Sequence, residues 1–255
     1  MSCVSQKIKN PNEKTSGFTL GVLALVAIVA VVIGAVVYMG RNQPIEGLPE
    51  EQPDVTVALD GDVIRLAAAD AGDAPVATVY EDYSCHFCAD MSTAGHADEL
   101  AALEAGDLVV EYRTLNFLDR GAEGHSTRAY AVMRRLAETG DAALTWNFHT
   151  LLMRDQQTSA TWDWADLADR AKSMGADGDV VAEIRDGLDL GAAAASAKAN
   201  AEKLVADLDL EGPSSPHVVV DGVDVTAGLG ADTLGQWVAE AIKAGAGEGA
   251  AADGE

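Results

Sequence analysis

The hydrophobic positions of this chain change register as it proceeds. Residues 18–40 carry no charge and are dominated by Val, Ala, Leu and Ile. At about 1.5 Å rise per residue, such a run crosses a hydrocarbon core of roughly 30 Å, which predicts a single N-terminal transmembrane helix. Short β-branched runs come next. Val55-Thr56-Val57-Ala58-Leu59 and Val63-Ile64-Arg65-Leu66 flank the turn signal Asp60-Gly61 and predict a hairpin. Val76-Ala77-Thr78-Val79-Tyr80 predicts a central strand, and residues 108–115 return to strand character. Between them Phe87, Met91, Ala94, Ala97 and Ala101 recur at steps of three and four. That spacing predicts a helix over 85–104 buried along this face, with Gly95 as a weak point or kink.

From 126 to 208 the pattern is helical almost throughout, with segments at 126–138, 141–154, 162–174, 179–186 and 190–208. Gly140, Gly175-Ala176-Asp177 and Gly187 separate them. A strand over 217–220, the turn Asp221-Gly222 and a closing helix over 231–243 with Gly245 as its stop complete the pattern. No internal repeat is visible. Strand, helix, strand in that order implies parallel pairing with a right-handed crossover, and the late strand and turn add an antiparallel edge. The fold class is therefore an α/β sheet with a helical insertion at about 120–210.

Charge adds a compartment. Lys7, Lys9 and Lys14 precede the apolar run, whereas Glu46, Glu50, Glu51 and Asp54 soon follow Arg41. The positive-inside rule places residues 1–17 in the cytoplasm and the rest outside the membrane. A cleaved signal peptide would have an apolar region of about 7–15 residues ending at a small-x-small site. Here the run is longer and the best site, Ile33-Gly34-Ala35, begins with a bulky residue, which favours an uncleaved anchor. Residues 41–54, with Pro44, Gly47, Pro49 and Pro53, read as a tether. Residues 244–255, rich in Gly, Ala and acids, read as a disordered tail, leaving 55–243 as one domain. The net charge of −24 excludes a nucleic-acid partner, whose phosphates would be repelled, and fits a solvated acidic surface.

The chain has three cysteines. Cys3 precedes the apolar run and so is not placed as a lipoprotein cysteine. Cys85 and Cys88 stand at the junction of the central strand and the helix that follows. The first cysteine of a Cys-x-x-Cys pair at a helix N-terminus faces unpaired N–H groups, and the helix dipole favours its thiolate. Cys88 lies one turn on, close enough to close a disulfide with it. As a structural staple across so short a loop the pair would remove little chain entropy, so a redox switch is the better reading. His96, His125, His149 and His217 are scattered and none forms the second ligand pair that a structural zinc site needs. Haem attachment needs a histidine directly after the second cysteine, and Ala89 stands there. No metal or cofactor is expected. Trp146, Phe148, Trp162 and Trp164 are read as core, with a peptide-binding aromatic surface as the alternative.

Val79-Tyr80-Glu81-Asp82-Tyr83-Ser84-Cys85-His86-Phe87-Cys88 and Ser215-Pro216-His217-Val218-Val219-Val220-Asp221-Gly222, with a helical block between them, resemble the DsbA-like branch of the thioredoxin superfamily. The resemblance covers most of residues 55–243 and implies a thioredoxin-like fold with a helical insertion. It implies Cys85 as the attacking thiolate, Cys88 as the resolving or buried partner, Pro216 as a cis-proline facing the disulfide, and Ser215 as a residue whose backbone pairs with a bound peptide. His86-Phe87 replaces the family's best-known Pro-His dipeptide, which tunes redox potential, and Ser215 stands where relatives often carry Thr or Val. His86 could add positive charge beside Cys85. Glu81 and Asp82 would oppose a thiolate if they faced the sulfurs, and one of them could instead relay a proton to or from Cys88. The function implied is a membrane-anchored, extracytoplasmic oxidoreductase that introduces disulfides into exported proteins with cysteine thiols and is recycled by a membrane redox partner. The rival readings are the same fold acting as a reductase or isomerase, and a binding or holdase module.

Overall fold

A strand buried on both faces organises this protein. In the computed structural model, which describes residues 15–41, 45–120 and 123–252, that strand is β3 (Val76–Asp82). It belongs to a six-stranded sheet with β1 (Thr56–Asp60), β2 (Val63–Ala67), β4 (Val109–Leu115), β5 (His217–Val220) and β6 (Val223–Asp224), ordered β1-β2-β4-β3-β5-β6. Helix α2 (His86–Ala105) crosses from β3 to β4, and these two strands pair in parallel. Every other pairing is antiparallel, including β3 with β5 and β5 with β6. The early hairpin turns at Gly61 with φ +58°, a left-handed conformation that favours glycine.

Between β4 and β5 lie α3 (His125–Ala137), α4 (Ala142–Arg154), α5 (Gln156–Ser159), α6 (Trp164–Ser173), α7 (Gly178–Asp186) and α8 (Leu190–Leu208). Aspartates start several of them: the side chains of Asp141, Asp163 and Asp189 accept from the N–H groups of Leu144, Asp166 and Gly191. Trp146, Phe148 and Trp162 are buried and belong to the main core, with Trp164 packed against it. The short helix α5 has no counterpart in the hydrophobic pattern, because four residues are too few to show a period.

The buried face of α2 differs from the expected one. Ala94, Ala97 and Ala101 are exposed, while Cys88, Met91, Ser92, Gly95, Glu99, Ala102 and Leu103 are buried. Buried polar residues conceal this face from a search for apolar periodicity. Glu99 accepts the Tyr112 hydroxyl, and Tyr112 stacks on His149 with ring centroids 4.4 Å apart. His149 Nε2 meets Glu81 Oε1 at 2.7 Å, with both side chains buried. Burial pushes the Glu99 carboxyl up to about 7. Burial opposes charge on His149, but the adjacent Glu81 outweighs it and raises the imidazole pKa. These groups form a polar layer inside the core, satisfied by one another.

Gly95 lies inside an uninterrupted α2 and serves a close approach. A Cβ there would stand 2.6 Å from Trp237 Nε1, and one at Gly235 would stand 2.7 Å from Ala94 Cβ. The two glycines let α2 approach the 3-10 turn Ala231–Gln236 and the following helix α9 (Trp237–Ala252). Gly245 is likewise no stop. Helix α9 runs through it to Ala252, and a Cβ at 245 would stand 2.3 Å from Pro75 Cβ, so the glycine serves close packing. The tail expected over 244–255 is therefore helical as far as 252, and 253–255 lie outside the described residues.

The chain divides into one unit up to Glu46 and another from Gly47. The tether expected over 41–54 is corrected from Gly47 onward. Leu48 packs on the core, Glu51 N–H donates to Asn147 Oδ1 at 3.0 Å, and Glu51 Oε2 accepts Trp146 Nε1 at 2.7 Å. Residues 42–44 lie outside the described residues. In the first unit, α1 (Thr15–Arg41) carries exposed Leu20, Leu23, Leu25, Ile28 and Val31. Among the described residues no helix is long and apolar enough to cross a membrane. The side chains of α1 are described over 20–35, and the span expected over 18–40 extends beyond them. Cys3 and the expected cytoplasmic residues up to 14 lie outside the described residues.

The Gly95 contact decides between two signs. Alanine in a helix is favoured over glycine by about 1 kcal/mol, whereas overpacking costs about 1–3 kcal/mol. Gly95→Ala should therefore destabilise the domain, read as a lower denaturant midpoint at unchanged slope. A higher midpoint would mean that the glycine is only a weak helical position.

Candidate active site

Strand β3 ends at Asp82 and passes through Tyr83 and Ser84 into α2, with Cys85 as the N-cap residue in extended conformation, φ −89° and ψ 114°. Cys85 N–H donates to Asp82 O at 2.8 Å, which closes the turn. The Cys85 carbonyl accepts Cys88 N–H at 3.1 Å and Ala89 N–H at 3.2 Å, so the helix starts beneath the reactive residue. Both cysteines are free thiols. Cys85 is 8% exposed and Cys88 0%. Cys85 thus keeps a narrow window on solvent, and its partner has none.

The second motif arrives from the other side. The Ser215–Pro216 peptide is cis, and Ser215 O accepts the Cys85 thiol at 3.6 Å. The Ser215 hydroxyl is buried and has no hydrogen-bond partner among the described residues. The hydrogen bond from the Cys88 thiol is the largest influence on Cys85, and burial opposes it. Ser215 and the N–H groups of Cys88 and Phe87 add to it, drawing the Cys85 thiol down to about 5. Burial pushes the Cys88 thiol well up, and the neighbouring Cys85 adds to this. One sulfur is poised as thiolate and the other holds the proton.

The supporting residues fall less neatly. His86 is exposed and its ring packs on Phe87, centroids 3.9 Å apart, and the groups acting on Cys85 are those just named. Phe87 is 42% exposed. Glu81 turns into the core toward His149. Asp82 Oδ1 accepts Ser84 N–H at 2.9 Å and the Ser126 hydroxyl, and Oδ2 accepts Leu118 N–H at 3.2 Å. Burial pushes the Asp82 carboxyl up to about 6, and these bonds hold it back. Both carboxylates are thus engaged away from the sulfurs. A residue absent from the sequence reading enters instead: Gln156, on α5, donates its amide to the Cys85 carbonyl at 2.9 Å. Its only signal is a polar residue in a short segment, which carries no pattern.

Two depressions flank the dithiol. An apolar hollow of about 300 Å³ is lined by Phe87, Pro216, Thr226, Leu229, Ala231 and Leu234. A polar cleft of about 790 Å³ includes His86, Asp90, Thr93, Arg154 and Gln156. The scattered histidines stay apart: His96 meets Glu51, His149 meets Glu81, His217 meets Asp224, and His125 lies near Ser159. Among the described residues no group of three His, Cys, Asp or Glu side chains is placed to hold a metal ion.

Thiol–disulfide exchange requires a thiolate, a second sulfur beside it and room for a substrate chain. Cys85, Cys88 and the surface around Pro216 supply these on one side of the sheet, and the class they define is protein disulfide oxidoreductase. The thioredoxin family model matches residues 71–240, and the chain belongs to that family. Among solved structures it is similar to the thiol-disulfide oxidoreductase MdbA of Corynebacterium diphtheriae, at 36% identity and TM-score 0.70 over 75% of this chain and 95% of that one. It is similar also to MdbA of Corynebacterium matruchotii, at 34% identity and TM-score 0.69 over 75% of this chain and 93% of that one. DsbA of Mycobacterium tuberculosis shares the fold, at 19% identity and TM-score 0.52 over 74% and 99%. No curated protein matches the chain.

The lowered thiol fixes a pH dependence. A depressed folded-state pKa adds stability to the reduced protein above the ordinary value of 9.0, and that stability is lost as pH falls through about 5. Alkylation of the reduced protein should occur at Cys85, with its rate half-maximal near pH 5 and Cys88 unreacted. A midpoint between about 8 and 9, the range of an ordinary thiol, would contradict the assignment.

Proposed function

We propose that this protein is a membrane-anchored, extracytoplasmic oxidase that introduces disulfides into exported proteins with cysteine thiols. The observation that carries the reading is the asymmetry of the pair, with Cys85 drawn down to about 5 while buried Cys88 is pushed up. A low-pKa thiolate stabilises the reduced form, which makes the disulfide form a stronger oxidant.

In the oxidised protein a substrate thiolate attacks Cys85 Sγ. The Cys85–Cys88 bond breaks, its electron pair leaves on Cys88, and Cys88 takes up a proton. The substrate is then held to Cys85 by a mixed disulfide. A second substrate thiolate attacks the first substrate sulfur, the mixed disulfide breaks, and Cys85 departs as thiolate. The substrate has lost two electrons and two thiol protons, and the pair is reduced. A low-pKa sulfur is the better leaving group in the second step. The apolar hollow beside Phe87 and Pro216 receives a side chain of the unfolded substrate. A membrane redox partner removes the electrons and restores the disulfide.

The uncharged apolar run of residues 18–40 in the sequence supports the anchor, and the lysines before it with the acids after it support an extracytoplasmic domain. The family membership and the similarity to MdbA support the exchange chemistry. A Cys88→Ala variant of the full chain, made in cells, should accumulate in the membrane fraction joined through Cys85 to exported proteins, as adducts that a reductant releases. Absence of any adduct at Cys85 would overturn the mechanism.

A further inference from the structure

The cis-proline loop is tied down by a relay that thiol chemistry does not use. His217, the first residue of β5, places Nδ1 2.7 Å from Asp224 Oδ2 on β6 and Nε2 2.7 Å from Ser214 Oγ. The other oxygen of Asp224 accepts Thr226 N–H at 2.9 Å and the Thr226 hydroxyl at 2.6 Å. Thr226 is itself part of the wall of the apolar hollow. At the far end, Ser214 is exposed and precedes Ser215, whose carbonyl accepts the Cys85 thiol.

The order of the bonds sets their direction. A carboxylate only accepts, so the Nδ1 facing Asp224 carries the hydrogen. In the neutral ring Nε2 is then an acceptor and takes the Ser214 hydroxyl hydrogen. The Ser214 oxygen is left with lone pairs facing solvent, one residue from the loop that borders the reacting sulfur. In hydrolases the same order of groups activates a serine as nucleophile. An exposed hydroxyl oxygen with free lone pairs is complementary to the main-chain N–H of a polypeptide, which needs an acceptor.

We propose that Ser214 is a substrate-binding residue whose hydroxyl oxygen accepts a main-chain N–H from the polypeptide flanking the reacting cysteine, with His217 and Asp224 as the positioning residues that orient it. The proposal rests on the oxidase reading above. It adds to that reading a side-chain contact that recognises an extended chain of any sequence, as an enzyme with many substrates requires.

The test is steady-state oxidation of an unstructured two-cysteine peptide by the full chain, with the reduction potential of each variant measured alongside. One neutral hydrogen bond contributes about 0.5–1.5 kcal/mol, or about a 2- to 13-fold change. Ser214→Ala should raise KM within that range with kcat and reduction potential unchanged. His217→Gln should shift KM in the same direction, and Ser214→Thr, which keeps the hydroxyl, should restore it. A wild-type KM in Ser214→Ala, or a reduction potential that moves with KM, would overturn the proposal while leaving the oxidase reading intact. A wild-type protein that does not oxidise the peptide would overturn both.

Discussion

The active site depends on the junction at which β3 ends and α2 begins. The hydrogen bond from Cys85 N–H to the Asp82 carbonyl turns the chain there and leaves Cys85 extended at the N-cap. Its sulfur consequently lies where helix N–H groups have no intrahelical partner, and where the positive end of the helix dipole favours negative charge. Several other features hold that junction. Asp82 binds Ser84, Ser126 and Leu118, which fixes the turn to α3 and to the segment after β4. Gln156 holds the Cys85 carbonyl, and the loop around Pro216 closes over the sulfur. The sheet order places β5 beside β3, which brings that loop to the same end as the dithiol.

Below the junction the core is unusually polar. Glu81, Glu99, His149 and Tyr112 lie in contact between β3, α2, α4 and β4. Burying ionisable groups is costly unless they are paired, and here each carboxyl has a donor. Such a layer fixes one register of α2 on the sheet, since sliding the helix would leave a charge without its partner. The register of α2 in turn sets where Cys85 and Cys88 stand.

Much of this was legible in the sequence. The chemistry of Cys85 and Cys88 at a strand–helix boundary follows from residue type and spacing, the role of Pro216 before an apolar strand was implied by the family resemblance, and the structure brings the two segments together. The bounds of α8 coincide with those expected from the sequence, since its buried face carries Ala193, Ala197 and Leu204 and no buried acid. Legibility ended where acids are buried in β3 and α2. Glu81 and Asp82 extend β3 past Tyr80, and Glu99 and Ser92 sit on the inner face of α2, so a search for hydrophobic faces selected exposed alanines. Glycines were misread for a related reason: Gly95 and Gly245 answer to Trp237 and Pro75, which lie far off in sequence. Glu51 looked like one acid in a tether, and its role appears only once Trp146, His96 and Asn147 surround it.

The central claim is that the asymmetry between Cys85 and Cys88 makes the disulfide form an oxidant. The direct measurement is the reduction potential of the pair in the folded protein, equilibrated against glutathione buffers. The account predicts a value near or above about −180 mV, the range of proteins that donate disulfides. A value near about −270 mV would contradict it, since the pair would then be a reductant whose low-pKa thiolate serves the reverse reaction.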